Sequence, residues 1–508
     1  MRSSDGASDD DNQSASSSDS EDTTASESDQ SFFKINTMIK QEQHTEIKTS
    51  SSYLYLVCLV AALGGFLFGF DTAVISGTIS LVTRDFGLNA ISEGWFVSCA
   101  LLGCIIGVII SGKLSDKFGR KIVLTLSAFL FLTSALGCMY AGDFSTLIAF
   151  RLIGGIGIGV ASMVSPLYIS EFAPSRLRGT MVSLYQLALT IGIVTAYFTN
   201  AYLANHSGEI FSGADAEKIF SREIWRAMLG LGALPALIFL ISLLLVPESP
   251  RWLLSMGRQD KAEKILIKID GETAAKKELD VFASQPITDE AGSLKTLFKP
   301  VYRKALWIGL LLPFLSQVCG INAVIYYGPR ILEQAGFTLN NALGGQVTIG
   351  LVNVVFTFVA IFTVDKWGRK PLLYVGIGGA VISLVIIGLL FHFGVNTGPW
   401  ILIFILAFIA CFAFSFGPVC WVVIGEIFPN GIRGKAMSLA TLTLWIGNFF
   451  VGQLTPVMLQ GLGSSWTFWI FAICCSPALY LTWKLIPETK GHSLEEIDAY
   501  WQKDHQKK

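Results

Sequence analysis

Twelve long apolar runs follow Tyr53 and constrain the fold more strongly than any other feature of this 508-residue chain. Each run has about 20 residues or more, which is the length that a helix needs to cross about 30 Å of hydrocarbon. Because the runs lack the alternating pattern of a membrane β-barrel, helices are the expected form. The runs cover approximately residues 53–81, 93–112, 121–141, 144–168, 180–203, 226–246, 304–328, 342–364, 371–393, 399–425, 436–459 and 465–486. The sequence therefore predicts an all-α membrane protein with twelve transmembrane helices, surrounded by a lipid bilayer.

The composition supports this prediction and excludes several classes of protein. With 52% hydrophobic and 15% charged residues, the chain has too few charges to cover the surface of a soluble protein of this length. The net charge of -1 gives no indication of nucleic-acid binding. All nine cysteines fall in apolar runs without CxxC or metal-ligand spacing, so we interpret them as small hydrophobic residues. No metal site and no cofactor is predicted.

Three short motifs occur twice in the chain, about 250 residues apart. They are Asp116-Lys-Phe-Gly-Arg-Lys121 with Asp365-Lys-Trp-Gly-Arg-Lys370, Glu171-Phe-Ala-Pro174 with Glu426-Ile-Phe-Pro429, and Pro247-Glu-Ser249 with Pro487-Glu-Thr489. Since each copy follows the second, fourth or sixth run of its half, the repeat predicts two parallel six-helix halves with a substrate site between them. The predicted boundaries are a tail at 1–50, an N-terminal half at 51–247, a helical linker at 248–303, a C-terminal half at 304–486 and a second tail at 487–508.

Lysine and arginine are concentrated in alternate loops, and this asymmetry predicts the orientation. The rich loops lie near residues 113–121, 176–178, 251–304, 366–370 and 433–435. These loops should be cytoplasmic, which places both termini on the cytoplasmic side of the cell membrane. The acidic, serine-rich residues 1–50 should form a disordered tail. A regulatory tail and an inert extension, which would be absent if translation starts at Met38, remain alternatives.

Asp71 is the only ionisable residue in the first apolar run. A carboxylate in hydrocarbon costs on the order of 3 kcal/mol, so it should face a partner, a cavity or water. Asp71 lies about 18 residues into the first run and Arg151 about 7 residues into the fourth, which runs in the opposite direction. At 1.5 Å per residue the two reach a similar depth and can pair. The pair is either a static salt bridge or a proton-binding carboxylate with its counter-charge.

Several motifs together closely resemble the sugar porter family of the major facilitator superfamily. They are the two Asp-Lys-x-Gly-Arg-Lys loops, Arg151-Leu-Ile-Gly-Gly155, Pro247-Glu-Ser-Pro-Arg-Trp252, Gln317-Val-Cys-Gly-Ile-Asn322, Gly417-Pro-Val-Cys-Trp421 and Pro487-Glu-Thr-Lys-Gly491. The resemblance extends from about Tyr53 to Gly491 and is nearest in pattern to bacterial proton-coupled pentose and hexose symporters. It implies the major facilitator fold and alternating access for a sugar. Asp71 matches the coupling aspartate of the symporters, which favours the proton-binding interpretation.

The resemblance also implies a set of sugar contacts. Amides suit this role because they both donate and accept hydrogen bonds, and aromatic rings supply a floor for the sugar. Taken singly, an amide in a membrane helix more often joins helices, and an aromatic ring more often packs. The first choices are Gln186, Gln317, Asn322, Asn353 and Trp421, followed by Phe68, Tyr326, Phe412, Trp445 and Asn448.

The chain departs from the family pattern at three positions. Ser316 stands where many relatives have the first of two glutamines, Leu444 stands where the xylose symporter has an amide, and Ile193 replaces a further glutamine. The pocket therefore loses up to three polar contacts. These losses argue against xylose in particular and leave a hexose or a polyol such as inositol as alternatives.

Charged residues of the repeated motifs flank helix ends on the predicted cytoplasmic side and form a candidate gate. They are Asp116, Arg120, Glu171 and Arg178 in one half and Asp365, Arg369, Glu426 and Arg433 in the other. One interpretation is that their ion pairs hold the halves together when the site faces outward. The other is that the basic residues only set the topology, which does not explain why the acids recur.

The predicted function is secondary active transport of a monosaccharide, coupled to a proton by symport. A passive facilitator for a sugar or a polyol is the alternative, and a sugar sensor that does not transport is a third possibility. Because no nucleophile–base pair, zinc spacing or Walker motif is present, an enzyme is not expected. The expected partners are a monosaccharide, a proton and the lipid bilayer, and the chain should function as a monomer.

Overall fold

The computed structural model describes residues 51–174, 177–206, 218–284, 294–395, 399–491 and 494–506. Within these residues twelve helices are long and apolar enough to cross a membrane, which confirms the predicted number. They are α1 (Ser51–Phe86), α2 (Ala90–Phe118), α3 (Arg120–Tyr140), α4 (Phe144–Phe172), α5 (Arg178–Asn205), α6 (Ile224–Leu245), α7 (Pro300–Gln334), α8 (Leu339–Trp367), α9 (Arg369–His392), α10 (Trp400–Glu426), α11 (Asn430–Gly461) and α12 (Gly463–Lys484). The predicted disordered tail at 1–50 lies outside the described residues.

The bundle has two ends. We call the end where α1 begins and α12 ends the terminal side, and the end where α1 leads into α2 the opposite side. On the terminal side the repeated glycines Gly119 and Gly368 turn the chain from α2 into α3 and from α8 into α9. Their φ angles of 98° and 91° lie in the left-handed region that favours glycine, so each copy of the motif makes the same tight turn.

Each half is held together by its own helix pairs. In the N-terminal half α1 packs on α5 and α2 on α4, and in the C-terminal half α9 packs on α12 and α7 on α11. A Cβ on Gly69 would lie 1.9 Å from the Leu189 carbonyl oxygen, so glycine is what lets the α1 and α5 backbones touch. The halves meet along α2 with α11, α5 with α8 and α1 with the second part of α7.

Two helices of the C-terminal half are interrupted near the centre of the bundle. α7 consists of Arg303–Val318 and Ile321–Gln334, which are separated at Gly320 with a φ of 89°. α10 contains a π-helical turn at Phe412–Phe416. Interruptions of this kind free backbone groups and re-aim side chains, and transporters use them to build binding sites.

The linker forms helices at Pro250–Ser255, Gln259–Ser284 and Leu294–Leu297, the second of which is kinked at Gly271. It packs against the terminal side of the N-terminal half. The Trp252 indole donates to the Asp116 carbonyl over 2.8 Å. The Lys268 ammonium lies 4.0 Å from the centre of the Tyr53 ring. A further helix, Leu494–Gln506, contacts the end of α10 through a hydrogen bond from Trp501 to the Ile427 carbonyl.

Candidate functional site

Asp71 of α1 and Arg151 of α4 lie side by side, which their similar predicted depths allow. The Arg151 Nη1 atom is 3.3 Å from Asp71 Oδ2 and 3.4 Å from Oδ1. The Arg151 side chain is 4% exposed and that of Asp71 is 22% exposed. The guanidinium also lies 5.9 Å from the centre of the Phe96 ring. The pair is therefore nearly dry on the arginine side, while water can reach the carboxylate.

A small cavity of about 10 Å³ adjoins this pair, close to the volume that one water molecule needs. Its walls include Asp71, Thr72 and Arg151 from the N-terminal half and Tyr326 and Trp445 from the C-terminal half. The carboxylate and two aromatic side chains of the other half thus share one cavity. A change at Asp71 therefore alters the wall of a cavity that both halves line.

Six of the ten predicted sugar contacts form direct pairs. The Phe68 and Trp445 rings lie 5.3 Å apart and join the two halves. Tyr326 and Asn448 exchange hydrogen bonds of 3.0 and 2.9 Å between their side chains.

The remaining pair lies at the break in α7. The Asn322 amide donates to Gln317 Oε1 over 2.5 Å. The two amides are 8% and 7% exposed. The break between Val318 and Ile321 turns residues of the two helical segments towards each other, which their separation in sequence does not predict.

The other four predicted contacts are Gln186, Asn353, Phe412 and Trp421, on α5, α8 and α10, and all four are half-buried. Among the described residues no hydrogen bond or ring contact joins them to the three pairs. Within the described residues no side-chain hydrogen bond occupies the polar groups of Gln186, Asn353 or Trp421. These polar groups therefore remain available, and the role of all ten residues stays a prediction.

Three buried polar atoms near the site lack a hydrogen-bond partner within the described part of the chain. They are the indole nitrogen of Trp445, the hydroxyl of Tyr185 and the Nε atom of Arg151. A buried donor without a partner costs about 1–3 kcal/mol, so it marks a place where a ligand or water can supply the missing bond. Tyr185 precedes the predicted contact Gln186, but nothing in the sequence distinguishes its hydroxyl from that of a packed tyrosine.

The three positions that depart from the family pattern do not offer free polar groups to the site. Ser316 Oγ donates to the Pro313 carbonyl over 2.7 Å and accepts from the Gln317 amide over 3.2 Å. Ile193 is 4% exposed, and Leu444 is half-buried. The loss of polar contacts expected from the sequence is therefore not offset by these side chains.

On the terminal side, the repeated motifs of the N-terminal half form one polar network. Arg120 at the start of α3 binds Glu171 at the end of α4 through two guanidinium nitrogens, at 3.0 and 2.9 Å. Arg120 also lies 3.2 Å from Asp116, and Ser249 donates to Glu171 over 2.5 Å. The Glu248 carboxylate accepts the backbone N–H groups of Arg120 and Lys121 and so caps α3.

The C-terminal half repeats this network with its own residues. Arg369 binds Glu426 at 3.1 and 2.8 Å, and Thr489 donates to Glu426 over 2.5 Å. The Glu488 carboxylate accepts the backbone N–H groups of Arg369 and Lys370 over 3.0 Å each. Each network thus joins helices of one half. Whether the networks control the opening between the halves stays a prediction.

The other three candidate gate residues are Arg178, Asp365 and Arg433. The side chains of Arg178 and Asp365 lie outside the described part of the structure, and Arg433 is half-buried near the start of α11.

The pKa values of the two capping carboxylates are shifted in opposite directions. Burial raises the pKa of Glu248, although the N–H groups of Ser249, Lys121 and Arg120 oppose the effect. Burial also acts to raise the pKa of Glu488, but the N–H groups of Arg369, Lys490 and Lys370 together with the charge of Arg369 outweigh it and lower the pKa. The repeat conserves the geometry of the cap but not its electrostatics.

On the opposite side, contacts join the two halves directly. Glu93, at the start of α2 and fully buried, forms a salt bridge with Arg330 of α7. Ser80 donates to Glu333 over 3.3 Å, and Ser98 donates to Gln453 over 2.6 Å. The sequence analysis missed this cluster. A signal was present, because Glu93 is an acid at the start of an apolar run and the argument that selected Asp71 applies to it as well.

Residues 57–501 match the family of sugar (and other) transporters. The chain belongs to this family. The chain is 42% identical over 468 residues to an arabinose-proton symporter of Bacillus subtilis, and the matched region covers 92% of this chain and 99% of the relative. It is 38% identical to a D-xylose-proton symporter of Escherichia coli, over 90% of this chain and 98% of the relative.

Solved structures agree with this assignment. A partially occluded inward-open form of the E. coli xylose transporter matches this chain with a TM-score of 0.76 at 37% identity, over 87% of this chain and 100% of that one. An inward-open form matches with a TM-score of 0.75 at 36% identity, over 88% and 100%. The predicted family, the fold of two six-helix halves and the multi-pass membrane location are therefore confirmed.

Proposed function

We propose that this protein carries a monosaccharide across the cell membrane together with a proton, by alternating access. The observation that carries the proposal is the shared cavity in which Asp71 and Arg151 of one half meet Tyr326 and Trp445 of the other. Relatives that are arabinose-, xylose- and galactose-proton symporters support coupling to a proton and a sugar substrate. We further propose that the terminal side is cytoplasmic and that the chain works as a monomer.

In this proposal the sugar lies between the halves. Gln317 and Asn322 are hydrogen-bonded to each other. Because each amide both donates and accepts, the two can replace this bond with hydrogen bonds to sugar hydroxyl groups. The unpaired indole N–H of Trp445 donates to the sugar, and its ring and that of Phe68 pack against the pyranose face. Discrimination among sugars follows from how many of these polar groups a given substrate satisfies.

The proton binds to Asp71 in this mechanism. Protonation removes the charge that Arg151 faces 3.3 Å away, so α1 is no longer held to α4 by an ion pair. Phe68 lies one helical turn before Asp71 on the same face of α1. A shift of α1 therefore moves the Phe68 ring against Trp445, which links protonation to the contact between the halves.

The contacts on the opposite side support the interpretation that this state is closed to the outside. The salt bridge between Glu93 and Arg330 and the hydrogen bond between Ser98 and Gln453 join the halves there. The terminal-side networks join helices within each half. The likeness to structures described as inward open supports the same state for this protein.

The substrate is proposed to be a hexose or a pentose that makes fewer polar contacts than xylose makes in the xylose symporter. Ser316, Ile193 and Leu444 offer no free polar group in place of the three amides expected at these positions. A polyol remains a second outcome of the test.

The test is uptake of labelled sugars into vesicles reconstituted with the full chain, with and without an inward proton gradient. We expect concentrative uptake of at least one monosaccharide when the gradient is imposed, and loss of the concentrative component in Asp71→Asn. Asp143→Asn is the matched control, because asparagine replaces aspartate equally well as the cap of α4. A gradient that drives no accumulation of any substrate would indicate a facilitator. Binding without uptake would indicate a sensor, and accumulation that survives in Asp71→Asn would refute Asp71 as the coupling residue.

A further inference from the structure

A second, larger hollow lies outside the sugar path, on the terminal side. It has a volume of about 450 Å³ and lies between the ends of α2 and α6, the start of α3 and the first two linker helices. We call it the linker groove. Neither the sugar contacts nor the proton pair lines it, and the family match assigns no ligand to it.

One wall of the linker groove is apolar and continuous with the membrane-facing surface. Phe118 at the end of α2 and Ile122 at the start of α3 line it and are 45% and 58% exposed. Beside it, Leu244 and Leu245 at the end of α6 are 68% and 73% exposed. Apolar side chains that are exposed at the ends of membrane-spanning helices face acyl chains, so lipid has direct access to the groove.

The other wall of the linker groove is basic. Lys121, Arg258 and Lys261 line it. Among the described residues none of these three cations lies within ion-pair distance of a carboxylate. Lys121 reaches the Leu244 carbonyl over 3.4 Å, and the Arg258 guanidinium lies 5.8 Å from the Trp252 ring centre. Three cations around one hollow without a paired acid attract an anion.

The acid in the groove does not neutralise these cations. The Glu248 carboxylate is occupied by the backbone N–H groups of Arg120, Lys121 and Ser249. Burial also raises the pKa of Glu248, so that its ionised fraction decreases earlier as the pH falls. The electrostatic character of the groove is therefore set by the lysine and arginine side chains.

We propose that the linker groove binds the phosphate headgroup of an anionic phospholipid from the adjacent membrane leaflet. The phosphate lies among Lys121, Arg258 and Lys261, and an acyl chain follows Phe118 and Ile122 into the bilayer. A basic pocket beside an apolar, lipid-facing wall at a membrane surface is the arrangement that binds anionic headgroups. A soluble phosphate shares the charge but makes no use of the apolar wall, so we assign the site to a lipid.

Binding there has a structural consequence. Trp252 and Ser249 of the same linker segment bind Asp116 and Glu171, and thus belong to the N-terminal charge network. A headgroup that bridges Lys121 of α3 to Arg258 and Lys261 of the linker fastens the linker to this network. The C-terminal half repeats the network around Glu488, but the residues that follow it do not supply a counterpart of Arg258 and Lys261.

The test is native mass spectrometry of the full chain in detergent, titrated with phosphatidylglycerol or with phosphatidylcholine. The variant is Arg258→Gln with Lys261→Gln. The matched control is Lys264→Gln with Lys276→Gln, which removes the same charge from exposed positions of the same linker helix outside the groove. We expect the groove variant to bind phosphatidylglycerol about 30-fold more weakly, since each basic residue near an anionic lipid contributes roughly a factor of five. The control should bind like the unmodified protein, and phosphatidylcholine should bind weakly to all three.

Two outcomes would overturn the proposal. Equal phosphatidylglycerol affinity in the groove variant and the control would show that the cations act only through general charge. If millimolar inorganic phosphate alone displaces bound phosphatidylglycerol, the site would be assigned to a soluble anion instead. Unchanged sugar binding in the groove variant checks that it is folded, because none of the sugar contacts lies in the groove.

Discussion

The salt bridge between Glu93 and Arg330 gives the sharpest prediction, because it joins the halves and its Glu93 side chain is fully buried. Arg330→Met keeps the length and apolar stem of the side chain but removes its charge. Glu93 is then left fully buried with a single hydrogen bond, from the Thr83 hydroxyl at 3.2 Å. We expect the variant to favour a state that is open on the opposite side, since water can then reach the Glu93 carboxylate.

The size of the shift follows from the burial of the two partners. Removing one partner of a buried ion pair costs about 3–5 kcal/mol. The Arg330 side chain is 20% exposed, so about 2–3 kcal/mol is the appropriate range here. This cost arises only while the halves are closed around Glu93. At about 1.4 kcal/mol for each tenfold change, the equilibrium should move about 30- to 150-fold towards the open state.

The assay is hydrogen–deuterium exchange of the full chain in lipid nanodiscs, read on peptides from the end of α1 and the second part of α7. These segments should exchange faster in Arg330→Met, while peptides on the terminal side become more protected. Glu93→Gln with Arg330→Met is the informative second variant. It removes the buried charge as well, so most of the protection should return.

Two results would refute this reasoning. Unchanged exchange at the opposite side in Arg330→Met would show that the salt bridge does not contribute to closure. A double variant as open as Arg330→Met would show that loss of arginine packing, and not the stranded Glu93 charge, is responsible. The Arg330 charge also acts on Glu333, which hydrogen-bonds Ser80. Because both variants leave Glu333 without that charge, the difference between them isolates the contribution of the Glu93 charge.

Three further predictions concern stability. Burial raises the pKa of Glu248 above 4.5, the usual value for glutamate. The melting temperature of the unmodified protein should therefore fall, relative to that of Glu248→Gln, as the pH rises above 4.5. N–H donors lower the pKa of Glu488, so the melting temperature of the unmodified protein should fall, relative to that of Glu488→Gln, as the pH falls below 4.5. If the two melting-temperature differences change with pH in the same direction, both assignments are contradicted. Gly69→Ala should destabilise the protein by about 1–3 kcal/mol, because its Cβ would lie 1.9 Å from the Leu189 carbonyl. Gly112→Ala is the control, since the nearest atom to its Cβ would lie 3.7 Å away, and equal melting temperatures for the two alanine variants would refute the role of close packing.

The number and order of the membrane helices were predictable because the length of each apolar run can be read directly from the local sequence. Their ends were less predictable, since α1 extends to Phe86 and α2 to Phe118, beyond the predicted 81 and 112. Polar residues at a membrane surface stay helical, so counting apolar residues underestimates the length. The pair of Asp71 and Arg151 was predictable for a different reason. Two charges at similar depth on neighbouring antiparallel helices have few other ways to offset the cost of burial.

The sequence could mark Glu93 as a charge in need of a partner, but it could not show which residues pair across the two halves, and the repeat explains why. The duplicated motifs of each half together supply both acids and bases, so Arg120 binds Glu171 and Arg369 binds Glu426 within one half. A repeat can therefore satisfy its charges without the other half. Glu93 and Arg330 belong to no repeated motif, and they pair only because the two halves are docked in this arrangement. The charges that report on the state of such a transporter are therefore better sought among its unrepeated residues than among its repeated ones.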